Sequence, residues 1–147
     1  MEELSALEAS IACPDTDVSA LAAKEHAVQR LGELYAELKL ADKLVALVGQ
    51  LRPFFGQVAK AKTAKIVRTL IDQLAKIPNT RELQMQLCCD SIEWCKAEKR
   101  SFLRQRIQSR LASLLLESKK YTEALTLLEE LLREVKRCAH DICVVVP

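Results

Sequence analysis

The side chains most able to perform chemistry in this sequence are six cysteines and two histidines, and their spacing excludes most sites. No Cys-x-x-Cys pair occurs, and the histidines lie near opposite ends of the chain. Because zinc sites need such close pairs, neither a metal site nor a disulfide framework is predicted. On a helix Cys88, Ile92 and Cys95 share one face, as small buried residues would. We interpret all six as buried, reduced thiols in preference to metal or redox groups: Cys13, Cys88, Cys89, Cys95, Cys138 and Cys143.

Other residue types give no catalytic constellation. Gly32, Gly49 and Gly56 are isolated, so no glycine-rich phosphate loop is present. Most carboxylates occur beside lysine or arginine on the polar faces of predicted helices, where solvated pairs belong. The sequence therefore predicts no enzyme activity, no cofactor and no small-molecule substrate.

Two basic clusters are the other candidates for function. Six of their residues are candidate partner contacts: Lys60, Lys62, Lys65, Arg100, Arg106 and Arg110. Three interpretations are open, namely solvated or internally paired side chains, a protein partner, and a nucleic acid. Phosphate binding favours a single basic surface interleaved with aromatic residues. These residues form no single stripe on a helical wheel, and the net charge is only +2, so nucleic acid is the least favoured.

Composition indicates that these residues stand on helices. Half of the 147 residues are apolar, only 4% are aromatic, and the chain has three glycines and four prolines. This balance favours an all-α fold over a β-sandwich or barrel. The N-terminus has no basic segment followed by an apolar core, and no apolar run is long enough to span a membrane. We therefore expect a soluble, intracellular protein without membrane association.

Apolar periodicity places one helical corner near the only tryptophan. Trp94, Phe102 and Leu103 are apolar enough to be buried, whereas the intervening Glu98-Lys99-Arg100 is not. This pattern predicts two antiparallel helices joined by a tight turn. Asn79 and Glu82 predict a capping box that opens the first of them.

A repeat of about 40 residues organises the whole chain. A shift of 80 residues places Leu31, Leu34 and Lys39 on Leu111, Leu114 and Lys119. Leu31-Gly32-x-x-Tyr35 and Tyr121-x-x-Ala124-x-x-x-Leu128 look like the two halves of a tetratricopeptide repeat (TPR), with Gly32 and Ala124 at close helix contacts. The prediction is an α-solenoid of about three TPR-like antiparallel hairpins with no sheet.

Four segments in order carry a resemblance to a known family, which runs from about Ala23 to Arg137 and so covers most of the chain. They are Leu51-Arg52-Pro53-Phe54-Phe55, Lys60 to Arg68, Glu93-Trp94 with Glu98 to Gln105, and Tyr121 to Leu125. The sequence resembles the non-ATPase regulatory subunit 11 family of the 26S proteasome lid, in a form close to plant members. The resemblance implies a non-catalytic scaffold, cytoplasmic and nuclear, in ubiquitin-dependent degradation. Its implied partners are other lid subunits, the ATPase base and the α-ring of the core particle. A free TPR-like adaptor is the alternative.

The predicted boundaries are a short N-terminal helix and linker at residues 1–16, a repeat domain at 17–137 and a divergent, disordered tail at 138–147. The PCI (C-terminal) module of the family is expected to be absent, as in a truncated or spliced product. Without a following repeat, Leu127, Leu131 and Val135 are expected to be partly exposed. That exposure predicts self-association.

Overall fold

The computed structural model describes residues 2–14 and 17–145, with side chains through His140. Helices make up most of these residues, and none of the described residues lies in a strand. This confirms the predicted all-α, sheet-free class. The helices are α1 (Glu2–Ala12), α2 (Val18–Glu37), α3 (Ala41–Gln50), α4 (Arg52–Phe55), α5 (Lys60–Lys76), α6 (Arg81–Ala97), α7 (Ser101–Glu117) and α8 (Tyr121–Val145).

Three corners between helices share the same backbone conformation, with a lysine at positive φ. Lys39, Lys99 and Lys119 have φ values of 57°, 55° and 60°, in the left-handed region that reverses the chain after a helix. At the first corner the Leu40 amide donates to the Tyr35 carbonyl, 2.8 Å away, in a bond that caps the end of α2. The carbonyl of Leu40 then accepts the first hydrogen bond of α3. Three residues, 38–40, therefore suffice to end one helix and begin the next.

The same bonds recur at the other two lysine corners. The Arg100 amide donates to the Cys95 carbonyl at 2.9 Å, and the Lys120 amide donates to the Leu115 carbonyl at 2.9 Å. Each preceding lysine amide also donates to the carbonyl three residues before it, at 3.1–3.3 Å. The two bonds together make each corner a Schellman motif. The first and last of these turns, at Lys39 and Lys119, are 80 residues apart, which is the shift at which the sequence repeats.

The corner before α6 is built differently. Asn79 has the positive φ, 61°, but the residue that starts the helix is Thr80. Its hydroxyl donates to the carbonyls of Leu74 and Ile77, and accepts a 3.1 Å hydrogen bond from the side-chain amide of Gln84. The predicted capping box on Asn79 and Glu82 is therefore wrong by one residue, because Asn79 is used for the left-handed turn.

The chain forms two compact units, of which the first ends at Gln84. Helices α2, α3 and α5 pack together there around Val28, Leu44 and Leu74, all of which are fully buried. An ideal Cβ on Gly32 would lie 2.7 Å from Leu70 Cδ2. Gly32 thus permits the close approach of α2 and α5, as the sequence predicted.

Helix α1 packs onto α2, and polar contacts fix it there. Tyr35 donates a 2.6 Å hydrogen bond to Glu8, and Arg30 lies 3.1 Å from Glu3. The buried Lys24 amine donates to the Cys13 carbonyl after the end of α1. The first helix is therefore part of the first unit in the described residues.

The second unit begins at Met85 and contains the remainder of α6, α7 and α8. Leu103, Ile107 and Leu111 of α7 are buried, and Ala124 of α8 has no exposed surface. The predicted role of Ala124 at a close contact agrees with this burial. Helices α7 and α8 are antiparallel neighbours, joined by the three-residue corner at Lys119.

Two expectations about the tryptophan corner need correction. Phe102 is 66% exposed rather than buried, because it lies on the side of α7 away from Leu103 and Ile107. Trp94 is half-buried, with the Arg100 guanidinium 5.0 Å from its ring centroid. Only Leu103 of the three apolar residues reaches the core.

The C-terminal region also differs from expectation. Helix α8 continues to Val145, so residues 138–145 are not the disordered tail that was predicted. No glycine or proline occurs between Tyr121 and Val146 to stop the helix. Residues 146 and 147 lie outside the described residues.

One of the three apolar residues expected to be partly exposed on α8 was predicted incorrectly. Leu131 is buried because it faces α7, whereas Leu127 is half-buried, as expected. Val135 is 52% exposed, as expected, and it continues a line of exposed apolar residues on the other side of the helix.

Candidate protein-binding groove

A groove between α2 and α5 collects part of the first basic cluster. Its volume is about 170 Å³, large enough for one or two side chains of a bound partner. The lining combines an apolar floor with a polar rim: Glu25, Val28, Gln29, Lys62, Lys65, Ile66, Thr69 and Leu70.

The positions of the lining residues follow from helix periodicity. Val28 and Leu70 are fully buried beneath the groove, and the half-buried Ile66 supplies the accessible apolar surface of its floor. Lys62, Lys65 and Thr69 recur at three- and four-residue spacing along one side of α5 and supply the rim. The groove therefore presents apolar surface beside two ammonium groups.

One rim lysine already has a carboxylate neighbour. Lys62 Nζ lies 3.1 Å from Glu25 Oε1, and the two side chains are 59% and 25% exposed. An exposed pair of this kind contributes at most about 1 kcal/mol, so an incoming carboxylate can replace Glu25 at small cost. Lys65 is exposed on the same rim. Lys60, the first residue of α5, is exposed but does not line the groove.

The second basic cluster is divided among different neighbours. Arg100 lies over the Trp94 ring, and half-buried Arg110 acts on the Cys88 thiol, whose pKa it lowers against the effect of burial. Arg106 lies 5.2 Å from the centroid of the exposed Phe102 ring. A cation over an aromatic face is a favourable contact. The three arginines of the second unit thus have different neighbours.

The structure brings together Lys62 and Lys65 among the predicted contacts. It adds Glu25 and the apolar floor, which the search for basic clusters missed. The signal was present, since Glu25, Val28 and Gln29 share one side of α2 at three- and four-residue spacing. Phe102 was missed as a surface residue because aromatic residues are ordinarily assigned to the core.

The described cysteines divide between buried and exposed positions. Cys88 and Cys95 are fully buried, as predicted, and burial raises the pKa of Cys88 to about 12. Cys13, Cys89 and Cys138 are exposed, which corrects the interpretation of all six as buried. The side chain of Cys143 lies outside the described residues. Within the described part of the chain, no group of three or more His, Cys, Asp or Glu residues could hold a metal ion.

No helix among the described residues combines the length and apolar character that crossing a bilayer requires.

A family model for the 26S proteasome regulatory subunit RPN6 N-terminal domain matches residues 4–118. The match begins in α1 and ends one residue after α7, and it covers well over half of the chain. The chain belongs to this family. Membership in the RPN6 N-terminal domain family confirms the resemblance found in the four sequence segments.

Relatives from three kingdoms agree with the family assignment. The 26S proteasome non-ATPase regulatory subunit 11 homolog of Arabidopsis thaliana is 51% identical over 84% of this chain and 30% of its own length. The subunit 11 protein of Dictyostelium discoideum is 40% identical over 78% of this chain and 28% of its own. The regulatory subunit RPN6 of Saccharomyces cerevisiae is 36% identical over 78% and 26%, respectively. The chain therefore spans less than a third of the length of these relatives.

Proposed function

We propose that the chain is a non-catalytic scaffold segment of the 26S proteasome regulatory particle lid, acting in ubiquitin-dependent protein degradation. The observation that carries this proposal is the family match across α1 to α7. Relatives named as regulatory subunits of the 26S proteasome support it.

The construction of the helices suits a scaffold. Corners of three residues leave little freedom between consecutive helices, and Schellman bonds satisfy the carbonyls at three of the helix ends. A scaffold needs surfaces held at fixed spacing, and repeat proteins provide them by stacking helical hairpins. The repeat domain at residues 17–137 is the proposed scaffold segment.

The proposed partners are other lid subunits, the base and the α-ring of the core particle. The groove between α2 and α5 is the proposed contact, since its apolar floor and lysine rim fit an apolar side chain next to a carboxylate. We place the chain in the cytoplasm and nucleus, with no enzyme activity of its own. We propose neither a nucleic acid nor a membrane as a partner.

Affinity purification tests the scaffold proposal. The tagged full chain is expressed in plant cells, and lid, base and core subunits in the eluate are quantified by mass spectrometry. Co-purification of lid subunits above the level seen with the tag alone is expected. An eluate that lacks every proteasome subunit contradicts the proposal.

Charge reversal tests the groove. Lys62→Glu with Lys65→Glu should reduce the recovered subunits, because the rim then repels carboxylates. Arg68→Glu with Lys76→Glu is the matched control, since both are exposed bases on the same helix and neither lines the groove. Equal recovery with the rim and control variants excludes the groove as the contact and leaves the scaffold proposal standing.

The groove also favours the second candidate function, a free TPR-like adaptor that binds peptides. An adaptor would bind a short acidic and apolar peptide through Lys62 and Lys65 without any proteasome subunit. The purification distinguishes the scaffold from the adaptor. The eluate of an adaptor would contain proteins other than proteasome subunits, and their recovery would depend on Lys62 and Lys65.

A further inference from the structure

The rim of the groove between α2 and α5 is rich in hydrogen-bond donors. The side chains of Lys62, Lys65 and Gln29 line it and are exposed, which presents two ammonium groups and one amide. Of the described residues that line the groove, only Glu25 is acidic. A carboxylate accepts several hydrogen bonds and pairs with ammonium groups, so the rim suits an incoming carboxylate.

Among the described residues that line the groove, one apolar side chain is accessible. Ile66 is half-buried, whereas Val28 and Leu70 beneath the groove are fully buried. Ile66 directly follows Lys65 and lies four residues after Lys62 on the same helix, which places the Cβ atoms of Ile66 and Lys62 about 5–6 Å apart. An occupant therefore needs its apolar group and its carboxylate close together.

A partner helix meets this requirement poorly. Helices bind in grooves through several apolar anchors that are spaced three or four residues apart. In the described lining only Ile66 can receive such an anchor. The groove volume of about 170 Å³ likewise holds only one or two side chains.

An extended segment from the middle of a chain fits no better. Its consecutive side chains point to opposite faces, so an acidic residue and its apolar neighbour cannot both enter the groove. Its backbone amides would also need acceptors, and the carbonyls within α2 and α5 are already engaged in the hydrogen bonds of those helices.

The end of a chain supplies both groups from one residue. The α-carboxylate and the side chain of a C-terminal residue are attached to the same Cα atom, so they enter together. Lys62 Nζ lies 3.1 Å from Glu25 Oε1, and an α-carboxylate that takes over Lys62 leaves Glu25 able to accept the amide N–H of that last residue. Capture of a chain end by its carboxylate is a recurring mode of peptide recognition.

We propose that the groove between α2 and α5 binds the C-terminal end of a partner protein whose last residue is aliphatic. The α-carboxylate of the partner binds Lys62 and Lys65, and its last side chain packs on Ile66. This proposal rests on the proposed function, since the groove is there the contact with a partner, and it specifies which part of the partner enters.

Peptide titrations of the isotope-labelled full chain, followed by NMR, test the proposal. The probe is acetyl-Gly-Ser-Gly-Ser-Leu with a free C-terminal carboxylate, and its C-terminal amide is the matched control. One aliphatic residue and two exposed charge contacts give weak binding, so a dissociation constant in the millimolar range is expected for the acid. The amide should bind about tenfold more weakly. Equal affinities, or no shift of the Gln29, Lys65 and Thr69 signals, overturn the proposal.

Three further peptides separate the sources of the carboxylate. Acetyl-Gly-Ser-Leu-Glu-Ser amide carries leucine beside an internal glutamate, and acetyl-Gly-Ser-Gly-Ser-Ser acid is a chain end without an apolar side chain. Both should bind about tenfold more weakly than the leucine acid. Equal binding by the internal glutamate peptide overturns the chain-end assignment. Tighter binding by a helical peptide with leucine and glutamate four residues apart assigns the groove to a partner helix instead.

Neutral variants locate the bound carboxylate. Lys62→Gln with Lys65→Gln should abolish the difference in affinity between acid and amide. Arg68→Gln with Lys76→Gln is the control and should keep that difference, because these exposed bases do not line the groove. Ile66→Ala should weaken the binding of both peptides and keep their ratio, with circular dichroism confirming that each variant is folded. A difference that persists without Lys62 and Lys65 overturns the proposal.

The peptide titrations and the purification of proteasome subunits can fail separately. If lid subunits co-purify but the acid and the amide bind equally, the chain-end assignment is overturned and the scaffold stands. If the acid is preferred but no proteasome subunit co-purifies, the scaffold is overturned and the chain-end assignment stands.

Discussion

Arg104 and Glu134 form a two-pronged ion pair across α7 and α8, with guanidinium–carboxylate distances of 2.8 and 2.9 Å. They lie at equal distances along the sequence, fifteen residues before and fifteen residues after Lys119 at the corner. The pairing therefore shows that the two helices remain antiparallel and in contact about four turns from the corner that joins them. The Gln105 side chain adds a 3.3 Å hydrogen bond to the same carboxylate.

We expect Arg104→Ala to lower the free energy of unfolding by about 1–2 kcal/mol, since a charge-assisted two-pronged contact at a partly buried site is lost. A double-mutant cycle with Glu134→Ala should give a coupling energy of about 1 kcal/mol. Urea denaturation followed by circular dichroism measures both. Arg106→Ala is the control, because Arg106 is exposed and its ring contact is with Phe102, so its cost should be smaller. A coupling energy near zero would contradict the stabilising role of the pair.

The same contact predicts how stability depends on pH. The hydrogen bond from Arg104 is the main cause that lowers the pKa of Glu134 below its ordinary value of 4.5. A carboxyl whose folded pKa is lowered stabilises the fold above its unfolded pKa, and this contribution is lost as pH falls through the folded value. The urea concentration at the unfolding midpoint should therefore decrease as the pH is lowered below about 4.5. The fall should be smaller for Glu134→Gln, which has no carboxyl to protonate. Equal pH profiles for the two proteins would exclude this linkage.

The left-handed lysines offer a stabilising change. Replacing Lys39 or Lys119 by glycine should raise the free energy of unfolding by about 0.5–1 kcal/mol, because glycine adopts positive φ without a Cβ clash. Lys65→Gly, in the interior of α5, should instead cost about 1 kcal/mol. Thermal denaturation of the three variants compares them. Destabilisation by glycine at both corners would mean that the lysine side chains make contacts that outweigh the backbone strain.

The helices and their corners were predictable because they depend on local signals, namely apolar periodicity, Pro14 and Pro78, and the recurring lysine at 39 and 119. Such local signals did not predict which side of α8 faces solvent. Leu131 and Leu132 have the same chemistry, and only the position of α7 decides that the first is buried and the second exposed. Half of the candidate groove was likewise invisible to a search for charge clusters, since Glu25 and Lys62 are 37 residues apart.

Replacing Gly32 or Gly49 by alanine should change the free energy of unfolding in opposite directions. Gly32→Ala places a Cβ 2.7 Å from Leu70 Cδ2 in the core, and a clash in a packed interior costs about 1–3 kcal/mol. Gly49→Ala meets nothing within 4 Å and lies within α3, so it should stabilise by about 0.5–1 kcal/mol. Urea denaturation of both variants measures the difference. A stable Gly32→Ala protein would show that Leu70 can move aside, and that the approach of α2 and α5 does not depend on glycine.

The left-handed residues Lys39, Asn79, Lys99 and Lys119 keep to a twenty-residue spacing, and the position that would continue it, Ala59, has a φ of −54°. There the short helix α4 and the residues after it replace a tight corner. Adding one residue to a helix turns everything beyond it by about 100°, which would misdirect the next corner and every buried side chain that follows. Residues 56–59, which follow the buried Phe55, lie outside that spacing, so insertions and deletions between homologous genes should accumulate there and be rare inside the regularly spaced helices.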